Sequence, residues 1–320
     1  MISVVLVDYN SIEKTLDYID HLNEFFMDSN LFNFIIVDNS NNFDNFNLLE
    51  KRTEFINIVD DIEQIDIYDC IKNIKVLKYK NKKIIAINSS KNLGYAKGNN
   101  LGALASKILL KDEYYLFSNN DLILNSHSNI REVLEIFIHN PNVAIIGPKI
   151  IGIDKKEQSP RKELNIYNQV IFYYLNLAFF TRLNKKISNI DYSGKSKYTY
   201  WVSGCFMIVD KNKFLKCGMF DENTFLYAEE MILSERLKRI GYSTYFYNNL
   251  EIIHNHGSTT KNTFSFIQNN RLSFESNLYY FEKYKVCSFF EKILSKLAFN
   301  IFKLVYPIKK QVKIFFKKKE

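Results

Sequence analysis

The sequence lacks the patterns that mark several classes of protein. It has no apolar run of the roughly 18–20 residues that a membrane-spanning helix needs. Met1-Ile2-Ser3-Val4-Val5 begins as a strand, without a basic segment followed by an apolar one, so we expect no secretory signal. No CxxC spacing or disulfide-dense pattern links the four cysteines, Cys70, Cys205, Cys217 and Cys287. These absences predict a cytoplasmic protein in a reducing compartment.

Excess positive charge is absent from most of the chain. The formal net charge is +8, but residues 283–320 contain eleven lysines, no arginine and two glutamates. That tail therefore carries +9, which leaves −1 for residues 1–282. A nucleic-acid-binding domain would spread positive charge over its binding face. We therefore expect no nucleic-acid partner, and a basic tail that binds an anionic membrane surface or a protein partner.

The chain has the composition of a globular protein, and strand-like and helix-like segments alternate regularly along it. With 320 residues the chain can bury a large core. In the first 150 residues, segments of helical spacing separate short apolar segments, which predicts an α/β fold with a mostly parallel sheet. The stretch from Asn41 to Asn81 is less regular, and we assign it no element. The expected strands are Ser3–Val7, Phe34–Val37, Ile84–Ile87, Tyr114–Phe117 and Val143–Ile146.

Polar residues follow three of these strands at the points where the strands end. Asp38-Asn39-Ser40 follows the second strand, Asn92–Asn100 the third, and Ser118-Asn119-Asn120-Asp121 the fourth. Open α/β sheets bind ligands outside the carboxyl ends of their strands. The sequence therefore predicts one polar crevice. Acidic and amide groups outnumber basic ones there, which favours a metal-bridged ligand over a bare anion.

Each of these stretches, taken alone, has a functional and a structural interpretation. Asp38 is suited to contact a pyrimidine base, or to close an Asx turn. Asn92–Asn100 has glycines but no GxGxxG spacing; placed before a helix expected over Asn99–Leu110, it suits a diphosphate or ribose, or is a plain turn. Asn119 and Asp121 supply the hard oxygen donors that Mg²⁺ or Mn²⁺ prefers, or form a polar turn.

A second group of motifs begins with a strand expected over Trp201–Val209. A helix follows from Glu229 to Arg239, with Gly241 as its C-terminal cap. Glu229 and Glu230 either stabilise the helix dipole or supply a general base. A strand over Ser243–Tyr247 then precedes His254, which fits either a metal site or a structural role, and His256, which we expect to be a hydrogen-bonded structural residue. From Asn262 onward the pattern is helical, and the aromatic run from Ile166 to Phe180 predicts a core helix or a lipid-facing lip.

In this order the motifs resemble the family 2 inverting glycosyltransferases, particularly the rhamnosyltransferase-like and capsule or O-antigen branches. The resemblance covers roughly residues 1–260. We therefore expect a glycosyltransferase domain over residues 1–262, followed by a helical, basic amphipathic tail over residues 263–320. The matching stretches are Val4–Asn10, Ile36–Ser40, Asn92–Tyr95, Ser118–Asp121, Ser203-Gly204, Gly218–Glu222, Phe225–Glu230 and His254 with Ser258.

This resemblance implies a GT-A fold, a UDP- or dTDP-sugar donor and a divalent cation, Mn or Mg. Glu230 would be the catalytic base, with Glu229 as its substitute. The cation would be held by Asn119, Asp121 and His254. Two departures are Asn119, where the metal motif usually has an acid, and Ile232, where many relatives have a second Asp. The residues expected to contact the nucleotide sugar are Asp8, Tyr9, Asn10, Asp38, Asn39, Asn92, Gly94, Asn100, Asn120, Ser203 and Gly204.

The expected enzyme transfers a sugar to a glycan or polyprenyl-linked acceptor in cell-surface polysaccharide synthesis, as a peripheral protein on the inner face of the cell membrane. A lysine-flanked apolar stripe in the tail predicts an interfacial helix, or alternatively a helix packed on the domain. Its members are Phe290, Ile293, Leu294, Leu297, Ile301, Leu304 and Val305.

Two other functions remain open on the sequence. A sugar nucleotidyltransferase would also use an α/β sheet and a metal, but Asp8-Tyr9-Asn10 stands where its basic glycine-rich loop would follow the first strand. A non-catalytic protein that binds nucleotide sugars or scaffolds an assembly is kept open by Asn119 and Ile232.

Overall fold

The computed structural model describes residues 1–40, 44–60, 62–124, 129–179, 190–191, 194–255 and 264–317. Within these ranges a twelve-stranded sheet is flanked by helices. The strands are β1 Ile2–Asp8, β2 Phe32–Asp38, β3 Glu54–Ile58, β4 Ile71–Tyr79, β5 Lys82–Ser89, β6 Tyr114–Ser118, β7 Leu122–Leu124, β8 Val143–Gly152, β9 Glu157–Ser159, β10 Lys197–Thr199, β11 Phe206–Asp210 and β12 Ser243–His254. The α-helices are α1 Ile12–Phe25, α2 Asp44–Arg52, α3 Gly94–Leu109, α4 Ile130–His139, α5 Phe172–Phe179, α6 Lys211–Lys216, α7 Glu229–Arg239, α8 Phe266–Tyr284 and α9 Phe289–Lys317.

The centre of the sheet is parallel, and its flanks are mixed, because β12 runs parallel to β8 whereas β10, β11, β4 and β3 are antiparallel to their neighbours. The strand order is β10-β12-β8-β11-β6-β1-β2-β5-β4-β3. β5, β2, β1 and β6 run parallel to one another, whereas β11 inserts antiparallel between β6 and β8. The central strands are rich in Val and Ile and are buried on both faces, as parallel strands covered by helices require. The predicted α/β class with a parallel core is confirmed.

Several boundaries differ from the prediction. α3 begins at Gly94 rather than Asn99, because the Asn92 side chain accepts a hydrogen bond from the Gly94 N–H at 2.9 Å and Gly94 adopts a φ of +73°. Only Phe206–Asp210 of the expected strand over Trp201–Val209 is a strand. α2, β3 and β4 lie in the stretch to which the sequence assigned no element.

The second expected strand in the C-terminal half is longer than predicted. β12 continues past Tyr247 to His254, with irregular pairing between Tyr247 and Glu251. Its end pairs with β7, so that His254 lies opposite Leu122. Because Leu122 directly follows Asp121, this pairing brings together two parts of the chain that are far apart in sequence.

The C-terminal helices pack into the domain rather than standing apart from it. Tyr174 of α5, Ile232 of α7, Phe274 of α8, and Phe299 and Phe302 of α9 belong to one buried cluster. Tyr174 contacts the rings of Phe274 and Phe299 edge to face. The boundary at residue 262 stays a prediction, but the helices that follow it share a core with the preceding part. None of the described helices combines the length and apolar character that crossing a bilayer requires.

Candidate active site

A cavity of about 750 Å³ opens where the central parallel strands end. One side of it is formed by Val7 at the end of β1 and Ser118–Asp121 after β6. Gly94 and Tyr95, at the start of α3, continue this side. The rest of the wall comes from the turn at residues 201–205, the start of α7 and the helices that follow Pro160. The carboxyl ends of the strands therefore form a polar crevice, as the sequence predicted.

Asp121 and His254 meet at this crevice. His254 Nε2 lies 3.3 Å from Asp121 Oδ1, and His254 Nδ1 lies 2.9 Å from the side-chain oxygen of Gln158. Burial disfavours the imidazolium, but the neighbouring Cys205 and Asp121 outweigh it and raise the pKa of His254 to about 10. Asn119 lines the same cavity, and its backbone N–H donates to the Cys205 carbonyl at 2.9 Å.

Asp121, Asn119 and His254 fit a divalent cation, but they could supply only some of its ligands. Asp121 supplies a carboxylate oxygen and Asn119 an amide oxygen, and His254 supplies a nitrogen once a bound cation has displaced its proton. Among the described residues, no group of three or more His, Cys, Asp or Glu could hold a metal ion. Mg²⁺ and Mn²⁺ sites of this kind take only one or two protein carboxylates and are completed by phosphate oxygens and water.

Two adjacent glutamates open α7 at the cavity wall and differ in their surroundings. Glu229 is only 3% exposed, and its Oε1 has no hydrogen-bond partner in the described part of the chain. Burial and the nearby Glu230 hold the pKa of Glu229 well above its usual range, so we assign it the protonated form. Burial also raises the pKa of Glu230, but the Gly204 N–H and Arg161 oppose that rise. Glu230 therefore ionises more readily than Glu229.

The backbone that leads into α7 is strained. Tyr227 and Ala228 both have left-handed conformations, with φ of +75° and +68°. Such conformations cost non-glycine residues about 1–2 kcal/mol each and persist only where the surrounding structure imposes them. Here the Leu226 carbonyl is held by the Ser276 hydroxyl of α8 at 2.8 Å. The helix that carries the two glutamates is thus fixed partly by α8.

Two residues that the sequence analysis did not single out as site residues also line the cavity. Arg161 is paired through its backbone with Trp201, and its guanidinium lies 5.6 Å from the centre of the Trp201 ring. Burial lowers the pKa of Arg161 to about 10, still far above neutral pH, so it remains a cation in the cavity. Tyr95 donates its hydroxyl hydrogen to the Gly204 carbonyl at 2.6 Å. Arg161 follows Ser159-Pro160 without a motif of its own, so only the fold reveals it.

Seven of the residues expected to contact the nucleotide sugar line the cavity. They are Tyr9, Asn39, Asn92, Gly94, Asn120, Ser203 and Gly204. Asn39 is also structural, because its amide donates to the Gly94 carbonyl at 3.1 Å and so holds the turn before α3. Asn120 donates to the hydroxyls of Ser11 and Thr15 at 2.9 and 2.7 Å, which joins the loop after β6 to α1.

Four other expected contacts lie outside the cavity lining. Asp8 is fully buried and accepts hydrogen bonds from the Ser11 N–H at 3.1 Å and the Thr15 hydroxyl at 2.5 Å, at the start of α1. Asp38 is fully buried as well. Its Oδ1 accepts from Ser40 and Asn45, and burial raises its pKa. Its Oδ2 has no hydrogen-bond partner in the described part of the chain, and its contact with a base stays a prediction.

Asn10 and Asn100 are the other two expected nucleotide-sugar contacts that lie outside the cavity lining. The backbone N–H of Asn10 donates to the Ser40 hydroxyl at 2.8 Å, and its side chain is exposed. Asn100 is fully buried. Its amide exchanges two hydrogen bonds of 3.0 Å with the backbone of Phe220, so its role here is to hold the loop before α7. His256 lies outside the described residues.

With this geometry the chain can be compared with known proteins. No family model matches the sequence. The low-salt glycan biosynthesis hexosyltransferase Agl10 of Haloferax volcanii is 30% identical over 156 residues, which cover 48% of this chain and 46% of that protein. The N-acetylglucosaminyl-diphospho-decaprenol L-rhamnosyltransferase of Mycobacterium tuberculosis is 32% identical over 60 residues, 19% of this chain and 20% of that protein. The chain thus matches less than half the length of these relatives.

Solved structures show the same fold. GalNAc-T7 with UDP, GalNAc and Mn²⁺ superposes with a TM-score of 0.51 at 12% identity, covering 79% of this chain and 43% of that one. The mannosyltransferase PcManGT from Pyrobaculum calidifontis, in complex with GDP-Man and Mn²⁺, gives 0.51 at 10% identity, covering 95% and 73%. The fold is GT-A, and the resemblance to rhamnosyltransferase-like glycosyltransferases expected from the motifs is confirmed.

Proposed function

We propose that this chain is an inverting glycosyltransferase of cell-surface polysaccharide synthesis. In this proposal it transfers a hexosyl or deoxyhexosyl group from a nucleoside-diphosphate sugar to a hydroxyl of a glycan or polyprenyl-linked acceptor. The observation that supports it most directly is that the Asp121–His254 pair and the Glu230 carboxylate line the same cavity on a GT-A fold. The names of the similar proteins point to the same class of reaction.

Glu230 would act as the general base. Inverting transfer is a single displacement at the anomeric carbon, so it needs one base that takes the proton from the acceptor hydroxyl. The Gly204 N–H bonds Oε1 of Glu230 at 2.8 Å and leaves Oε2 for this proton. General-base catalysis of this kind contributes about 10²–10⁴-fold. Arg161 contributes a positive charge that favours the ionised form of Glu230.

Asn119, Asp121 and His254 would hold a divalent cation, Mn or Mg. When bound, such an ion supplies Lewis-acid stabilisation of the leaving diphosphate. The residues of the chain have a separate task, which is to orient the donor. The backbone around Gly94 approaches the cavity because Asn39 fixes it, and Tyr9 and Ser203 border the same space. We propose UDP or dTDP as the nucleotide.

The exposed face of α9 would bind an anionic membrane. Of the stripe predicted from the sequence, Leu304 and Phe290 are 72% and 68% exposed, and Leu297 and Ile293 are 51% and 38% exposed. Leu294, Ile301 and Val305 instead pack against the core cluster shared with α5 and α8. The helix thus has one packed face and one exposed apolar face, so each of the two alternatives describes part of it.

Charge on α9 supports the same partner. Lys296, Lys303 and Lys310 are exposed on this helix. Each lysine close to an anionic surface contributes about 1 kcal/mol, and an apolar face flanked by lysines is typical of interfacial helices. This attachment would keep the protein at the inner face of the cell membrane, where a polyprenyl-linked acceptor is presented.

The proposed activity is tested with purified full-length protein and a panel of UDP-, dTDP- and GDP-sugars, with Mn²⁺ or with EDTA. We expect hydrolysis of one donor in the absence of acceptor, and transfer when membrane lipid extract from cells that produce the protein is added. Binding without turnover would identify a non-catalytic nucleotide-sugar-binding protein instead. Synthesis of a nucleotide sugar from a sugar phosphate would identify a nucleotidyltransferase.

A further inference from the structure

One part of the cavity wall is made of helices rather than strand ends. Asn168 and Gln169 lie in a π-helix, Tyr167–Ile171, that leads directly into α5, and Tyr173 and Asn176 follow on α5. Ser273 and Asn277 of α8 complete this wall. We call Asn168, Gln169, Asn176 and Asn277 the amide wall. The sequence analysis gave none of these residues a role in binding.

Hydrogen bonds within the fold hold the amide wall in place. The Gln169 amide donates to the Asn277 side-chain oxygen at 3.0 Å, and the Asn277 amide donates to the Ser273 carbonyl at 2.7 Å. Asn277 is 8% exposed, so its orientation is fixed. Short π-helical turns are rare and occur frequently at functional sites, because the extra residue in the turn changes which side chains face a neighbour. Here the turn carries two amides of the wall.

The wall lies beside the proposed base. Val170 and Tyr174, which flank the amides on the π-helix and α5, belong to the same buried cluster as Met231 and Ile232 of α7. Glu229 and Glu230 precede these residues at the start of α7 and line the same cavity. A ligand held by the wall would therefore lie in the same cavity as Glu230.

The chemistry of the wall selects an uncharged polar ligand. The side chains that the segments 164–176 and 264–277 contribute to the cavity are all uncharged. Asn and Gln side chains offer donors and acceptors together, which matches the vicinal hydroxyls of a sugar. Tyr173 adds an aromatic ring, half exposed at the wall, against which the apolar face of a sugar ring can pack. A phosphate or a uronate would find no opposite charge on the amide wall itself, because Lys156 and Arg161, cationic side chains that line this cavity, precede residue 164.

We infer that the amide wall and Tyr173 bind an uncharged sugar unit of the acceptor, and so orient its hydroxyl towards Glu230. This inference rests on the proposed glycosyltransferase function and specifies its acceptor. It assigns the π-helix, α5 and α8 to acceptor recognition. It also implies that the amide wall recognises an uncharged sugar of the acceptor rather than a charged group.

The test measures the amount of acceptor lipid extract that gives the half-maximal rate of transfer from the labelled donor. Asn168→Ala and Asn176→Ala break no side-chain hydrogen bond within the described structure, so both variants should fold normally. Each should raise the half-saturating acceptor concentration by about threefold to tenfold, the effect of one lost hydrogen bond, with the donor half-saturation unchanged. Asn47→Ala, on the exposed face of α2, is the matched control and should leave both values unchanged.

A second pair of variants tests the aromatic contact. Tyr173→Phe keeps the ring and should retain acceptor affinity, whereas Tyr173→Ala should lose it. Wild-type half-saturation in the Asn168→Ala/Asn176→Ala double variant would overturn the inference while leaving the transferase activity established. If the wild-type protein neither hydrolyses nor transfers any donor, the proposed function itself fails.

Discussion

The backbone N–H of Gly204 donates a hydrogen bond of 2.8 Å to Oε1 of Glu230, and the carbonyl of the same glycine accepts the Tyr95 hydroxyl at 2.6 Å. The backbone of this single glycine therefore joins the start of α3 to the proposed base. A Cβ at position 204 would lie 2.7 Å from both Cγ and Oε1 of Glu230 and 2.9 Å from the Tyr95 hydroxyl. This position needs glycine because of close approach.

Gly204→Ala should therefore displace the Glu230 carboxylate and lower kcat by about 10²-fold, since a displacement near 1 Å has effects of that size. The measurement is steady-state transfer or donor hydrolysis, with nucleotide binding by calorimetry as a second readout. Gly241→Ala is the control, because its φ is +86° and nothing lies within 4 Å of the added Cβ. It should lower stability by about 1 kcal/mol and leave activity unchanged. Equal activity of both variants would contradict the role of Gly204.

Glu230→Gln should preserve donor affinity and lower kcat by about 10²–10⁴-fold, because the amide keeps the size of the side chain but cannot accept the proton. Glu229→Gln should have a smaller effect. In the wild type, kcat/KM should fall on acidification at a pH above the usual range of a glutamate, because burial raises the pKa of Glu230. Steady-state kinetics across pH measure both effects. The opposite ranking of the two variants would move the base to Glu229.

Glu229→Gln should stabilise the protein increasingly as the pH rises. The pKa of the Glu229 carboxyl is raised in the folded state, so its protonated form contributes fully below the unfolded pKa and is lost as pH approaches the folded pKa. Glutamine carries no such penalty. Between these two pKa values the advantage of the variant should grow by about 1.4 kcal/mol per pH unit. Urea unfolding at several pH values measures it, and a pH-independent difference would show that folding does not raise the pKa of Glu229.

Asp121→Ala should abolish the part of nucleoside-diphosphate binding that depends on Mn²⁺, because Asp121 is the carboxylate paired with His254. Calorimetry with UDP and dTDP, in Mn²⁺ and in EDTA, measures this. Asp154→Ala is a suitable control, since Asp154 also lines the cavity but pairs with Lys156. Binding of equal strength in Mn²⁺ and EDTA by the wild type would rule out a metal role.

Leu297→Glu and Leu304→Glu should release the full-length protein from vesicles that contain phosphatidylglycerol, because both side chains are exposed on the apolar face of α9. Ile138→Glu, at a 68% exposed position on α4, should not. Vesicle sedimentation measures binding, and salt should weaken it in the wild type as charges become screened. Equal sedimentation of all variants would rule out this face.

The structure also changes how that experiment is designed. Removing everything after Glu282 would not test membrane binding alone, because α9 buries Ala298, Phe299 and Phe302 in the core shared with α5 and α8. A truncated chain would lose these contacts, and large core deletions are strongly destabilising. Surface substitutions separate membrane binding from folding, whereas truncation does not.

The sequence alone determined the local features of this protein. Strings of Val and Ile specify strands that are buried on both faces, and helical spacing specifies the helices between them, because both patterns depend on near neighbours in the chain. Polar residues at the strand ends located the crevice for the same reason, since parallel strands end at one edge of a sheet. The meeting of Asp121, His254 and Glu230 in one cavity did not follow from these patterns, because it depends on the pairing of β12 with β7 and on the placement of α7.

Only the tertiary structure decided which polar residues face the cavity and which form hydrogen bonds inside the fold instead. Asn100 bonds to the backbone of Phe220, 120 positions away, and Asp8 bonds to Asn45, 37 positions away, so both serve packing although their motifs look functional. Arg161, Asn176 and Asn277 enter the cavity only because separate segments pack around α7. Such contacts join residues distant in the chain, and the periodicity of a single segment carries no information about them.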